Sequence, residues 1–108
     1  MSESNLSDKE LLKSILEPLL DDFQYWLDRS HTLLENEKIS FLGDQEQNNL
    51  LWRVNQAQQE VSTARMLFQA TGCEVGIEMA TLMPWHKLLN ECRLIAMRYR
   101  AEQTTDNI

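Results

Sequence analysis

The chain has 108 residues, 43 % of them apolar and 25 % charged, and a net charge of −7 at neutral pH. That length suits one domain, 1–108, with its own core and no need of metal or disulfide staples, and the composition fits neither global disorder nor a membrane span. Residues 1–50 carry eleven acids against four bases, and so acidic a surface disfavours DNA and anionic lipid, both of which need a basic footprint.

In chain order, residues 1–9 are polar and acidic and lack the basic start and apolar stretch of a secretory signal, so a cytoplasmic protein is expected. Residues 1–6 should fray. Ser7 with Glu10 makes a capping box, and a helix is predicted over 8–35. Its apolar face is Leu12, Ile15, Leu16, Leu19, Leu20, Phe23, Trp26, Leu27, Ser30 and Leu34, a spacing that only a long amphipathic helix explains. Pro18 withholds the N–H that would bond the Ser14 carbonyl and crowds that carbonyl, which predicts a kink over 14–18. Residues 35–43 form a connection whose Ile39, Phe41 and Leu42 should cover the end of the bundle.

Asp44 then reads as an N-cap with Gln47 at the third helical position, opening a helix over 44–71. Leu50, Val54, Ala57, Val61, Ala64 and Phe68 recur at alternating steps of four and three, a heptad seam around which the rest of the chain is expected to organise. Gly72 can close this helix, and residues 71–76 form the second turn. Residues 77–83 read either as the first two turns of a helix bent at Pro84 or as a separate turn before a helix that starts with Pro84. From there Trp85, Leu88, Leu89, Cys92, Ile95, Ala96 and Tyr99 share a face, giving a helix over 84–101, and residues 102–108 should fray. Three long helices joined by short connections predict an all-α, elongated up-down-up three-helix bundle with proline kinks in the first and third helices.

Two stretches carry a resemblance: residues 8–27 (DKELLKSILEPLLDDFQYWL) and 82–100 (LMPWHKLLNECRLIAMRYR). Their marks are Glu17-Pro18-Leu19-Leu20, Phe23-Gln24-Tyr25-Trp26 and Met83-Pro84-Trp85-His86-Lys87. With the linking helix they resemble a family of small, uncharacterised cyanobacterial proteins, a domain of unknown function, over most of the chain. The resemblance implies a cytosolic or thylakoid-associated accessory protein of a photosynthetic cell and supplies no catalytic residues.

Nothing in the pattern supports chemistry. His31 and His86 are the only histidines, and the paired Glu-x-x-His motifs of di-iron bundles are missing. His31 with Glu35 makes one i,i+4 pair, which is ordinarily a solvated surface contact. Cys73 and Cys92 have no metal-ligand spacing and read as small apolar side chains, and Asp21-Asp22 suits the dipole of a helical segment after Pro18. No catalytic residue, metal or cofactor is therefore expected, and the protein is not expected to be an enzyme. The informative residues are large apolar ones that miss the seams. At 100° per residue Trp52 lies opposite the seam, Gln59 and Met66 follow it at steps of seven, and Leu67 lies near that side. Single exposed apolar residues are common on any surface, but a Trp and a Met on one stripe are the residue types that anchor a partner. The expected function is an acidic, non-enzymatic protein–protein interaction module, docking another protein or a second copy of itself through this helix face. His86, Leu94 and Arg98 form a secondary candidate with a basic rim. The alternative from another class is a small-ligand or metal-binding helical protein.

Overall fold

The computed structural model describes residues 8–71 and 79–106. They form α1 (Asp8–Asn36), α2 (Asp44–Ala70) and α3 (Met79–Asp106), with no strand among the described residues. The contacts between helices fix their directions. Gln58 Nε2 donates to Asp28 at 2.8 Å and Arg65 to Asp21 at 2.7 Å, so α2 runs back along α1. Arg53 donates to Glu91 at 2.8 Å and the Trp85 indole to Glu60 at 2.9 Å, so α3 runs back along α2. Phe23 meets Trp85 edge-on at 5.8 Å while the Tyr99 hydroxyl donates to Glu37 at 2.7 Å, which makes α1 and α3 parallel. The result is the up-down-up bundle, 62 × 27 × 19 Å. Its radius of gyration of 17.5 Å exceeds the roughly 13 Å of a compact domain of this length, so it is a rod.

The core is one cluster to which every helix contributes. Leu16, Leu20, Phe23, Leu27 and Leu34 come from α1, Leu50, Val54, Ala57, Val61 and Phe68 from α2, and Leu82, Trp85, Leu88 and Cys92 from α3. The heptad seam of α2 is buried as its spacing predicts. The helix that packs closely along both others is nevertheless α1, most extensively along α2, whereas α2 and α3 approach each other less closely. The reason is width, since Leu12, Leu19 and Leu33 broaden the apolar arc of α1, while Gln and Asn flank the narrow seam of α2. Two residues expected in the α1 core are not there. Ile15 and Trp26 are 57 % and 53 % exposed, because they stand at the margin of an arc that α2 and α3 cover only at its centre.

Helix ends bring further corrections. Gly43, not Asp44, is the N-cap of α2, with extended backbone, and the Glu46 carboxylate at the third position accepts from the Gly43 N–H at 3.1 Å. Gln47 is thereby freed from capping and is buried. Its Oε1 accepts from the Ile39 N–H at 3.0 Å, and its Nε2 donates to the carbonyls of Leu34 at 2.8 Å and Glu37 at 2.7 Å. This one side chain satisfies carbonyls left open at the end of α1 and ties down the connection, where Ile39 is sealed and Phe41 and Leu42 are half-buried.

The third helix starts at Met79 and ends at Asp106, longer at both ends than 84–101. Leu82 is buried in the core and residues 79–83 are helical, so the helix runs through Pro84 rather than starting at it, while residues 77 and 78 lie outside the described residues. Residues 102–106 are helical rather than frayed: Glu102 accepts from Ser40 at 2.9 Å and from Arg98 at 3.3 Å. Both Pro18 and Pro84 lie inside helices that run through them without interruption. The Ser7 capping box, the turn with Gly72 and Gly76, Cys73 and the fraying expected at 1–6 and 107–108 lie outside the described residues.

Candidate functional site

The chemical candidates are dispersed. His31 Nε2 lies 3.6 Å from Glu35 Oε2 as a surface i,i+4 pair, and no group of three or more His, Cys, Asp or Glu that could hold a metal occurs among the described residues. Cys92 lies in the core, and its burial pushes the thiol above its usual pKa. A concavity of about 440 Å³ lies at the α1–α2 corner, against Asn36, Glu37, Lys38, Asp44 and Gln47. Three of its polar side chains are already engaged: Lys38 pairs with Asp44, whose carboxyl it holds below its ordinary pKa, and Gln47 uses both ends of its amide on backbone.

The outer face of α2 is different in kind. Trp52 is 60 % and Met66 65 % exposed, with Leu67 and Gln59 also in solvent. Gln56, Thr63 and Ala70 complete the stripe, so that Trp52, Gln56, Gln59, Thr63, Met66 and Ala70 repeat the four-three steps of the buried seam half a turn away. No member of this second heptad row carries a charge. The charges of α2 beyond its first turn are Arg53, Glu60 and Arg65, and each is drawn sideways, to Glu91, the Trp85 indole and Asp21 respectively. The Arg53–Glu91 contact holds the Glu91 carboxyl below its usual pKa and raises that of the guanidinium.

The secondary candidate is less coherent. His86, Leu94 and Arg98 are all exposed on α3, but Arg98 lies 4.1 Å over the Phe41 ring and bonds Glu102, which commits it to holding the α1–α2 connection. Met83 and Met97, both about half exposed, share the outer face of α3 with Leu94, a grouping that sequence spacing contains and the sequence reading passed over. On α1, Tyr25 and Trp26 meet edge-on at 5.0 Å with the Arg29 guanidinium within 5.9 Å of both rings. Tyr25 lies off the apolar face of α1 by its spacing, whereas Trp26, expected on that face, is exposed beside it.

Among the described residues, no helix is long and apolar enough to cross a membrane. Residues 6–101 match the model of a family described as a protein of unknown function, DUF2605. No curated protein and no solved structure matches the chain.

Proposed function

We propose, for a chain that belongs to the DUF2605 family of unknown function, that it is an acidic, non-enzymatic interaction module whose α2 outer face docks a helix. The observation that supports this is the charge-free row Trp52, Gln59 and Met66, exposed on a protein that otherwise surrounds itself with charge. A long rod offers helix-sized grooves and faces rather than an enclosed pocket, which favours an interaction role over catalysis. The resemblance to small cyanobacterial proteins supports a cytoplasmic accessory role beside the photosynthetic apparatus.

Trp52→Ala combined with Met66→Ala tests the reading. An interface tryptophan commonly contributes about 2 kcal/mol or more to binding, roughly a thirtyfold change in affinity, whereas truncation on an exposed face leaves folding within about 0.5 kcal/mol. The double variant is expected to keep its helicity and melting temperature while losing self-association, or losing a partner that the wild type captures from its own cells. If it binds as well as wild type, this face is not the docking site.

A further inference from the structure

We infer that the occupant of this face is α2 of a second copy, packed antiparallel about a two-fold axis level with Val61; the inference rests on the docking reading above. Two chains of charge −7 repel, so self-association is least opposed through a face that carries no charge, and the six-residue row on α2 is such a face. By contrast the outer faces of α1 and α3 carry exposed Asp22, Arg29, Lys87 and Arg93.

The row is also self-complementary in size. In an antiparallel heptad pair, one register uses all six positions. It sets Trp52 against Ala70 of the second copy, Gln56 against Met66 of the second copy, and Gln59 against Thr63 of the second copy, each contact made twice by symmetry. The largest side chain meets the smallest, the flexible methionine lies along a glutamine stem, and the central layer pairs an amide with a hydroxyl. Such a polar layer at the axis fixes register and orientation. A parallel pair would instead stack Trp52 on Trp52 and Met66 on Met66 and leave Ala70 facing Ala70. The row spans about 27 Å of helix, a contact below the size of permanent interfaces, so the dimer is a reversible one that dissociates on dilution. Because screening reduces the repulsion between acidic chains, added salt strengthens it, whereas a contact between acidic α1 and basic α3 would weaken.

Sedimentation equilibrium over a wide range of concentration and salt tests this with the full chain. Wild type is expected to show a dimer fraction that rises with both. Gln59→Glu with Thr63→Glu places four carboxylates at the axis and should leave a monomer with unchanged circular dichroism. Trp52→Ala alone and Ala70→Trp alone should each weaken the dimer at least tenfold, and the two combined should recover most of the loss, since the large and small partners are merely exchanged. A wild type that stays monomeric throughout, an axial variant that dimerises normally, or a combined variant no better than the singles would overturn the inference. A wild type that stays monomeric yet captures a partner that Trp52→Ala with Met66→Ala loses would remove the second copy and leave the docking reading standing.

Discussion

Along α2, Leu50, Val54, Val61 and Phe68 are sealed from solvent, while Trp52, Gln59 and Met66, half a turn away on the same helix, stand in it. Both rows keep the same four-three period, so period alone does not say which faces the core. Density does. The inner row is aliphatic or aromatic throughout, whereas the outer row has only two large apolar residues, Trp52 and Met66, among Gln, Thr and Ala. The outer row thus looks like a seam too polar to be core and too uncharged to be ordinary surface.

The largest expected effect breaks the inner face. Val61 is fully buried, so Val61→Asp places an unpaired carboxylate in the core and should cost about 3–5 kcal/mol or unfold the protein. A thermal midpoint that barely moved would show the two faces are assigned backwards.

Next comes the polar exception on the inner face. Gln47→Ala removes three hydrogen bonds and leaves the Leu34 carbonyl, at a buried residue, without its amide donor, for an expected loss of roughly 2–3 kcal/mol in chemical denaturation. A loss below half a kcal/mol would mean water replaces the amide, and the corner is looser than its geometry.

The border between the faces is held by Arg53 and Glu91, whose side chains are 41 % and 45 % exposed. At that exposure the pair contributes at most about 1 kcal/mol. Glu91 has a folded pKa below its unfolded one, so its contribution is present above the ordinary carboxylate range and lost as pH falls through the depressed value. Glu91→Gln should therefore flatten part of the acid limb of the stability profile; an unchanged limb would assign that limb to other carboxylates. The smallest effect on folding is that of Trp52→Ala with Met66→Ala, expected to stay within about 0.5 kcal/mol, and a larger loss would move Trp52 from the outer face to the core.

Much of this molecule can be read from residue spacing, and the failures have physical causes. The α2 seam and the Trp85, Leu88 and Cys92 face are dense apolar rows, and density survives the step to three dimensions. Ile15 and Trp26 have the right helical angle, but angle does not reveal how much of an arc the neighbours cover. The α2 cap differs by a single position: Asp44/Gln47 and Gly43/Glu46 share the spacing of a capping box, of which Gly43 can supply only its N–H, and choosing the first conceals that Gln47 is free to turn inward. Leu82 needed a burial partner to decide for helix across Pro84, and only the packed structure supplies one. On the outer face of α2, the position of Trp52 and Met66 and the lack of charge at Gln56, Gln59, Thr63 and Ala70 are both legible in the sequence, while the packed structure adds that Arg53, Glu60 and Arg65 are turned to the sides.

The Gln47 amide also bears on the order in which the chain assembles. Its three partners lie only 8, 10 and 13 residues away, so closing this corner costs little loop entropy compared with bringing α3 back along the rod. The α1–α2 hairpin can form and hold its own register while α3 is still being synthesised, and α3 then docks onto a prepared groove. In pulse-labelled hydrogen exchange the amides around Leu34, Ile39 and Leu50 should gain protection as one unit, ahead of those around Leu88 and Cys92. Simultaneous protection would show that the corner has no kinetic independence.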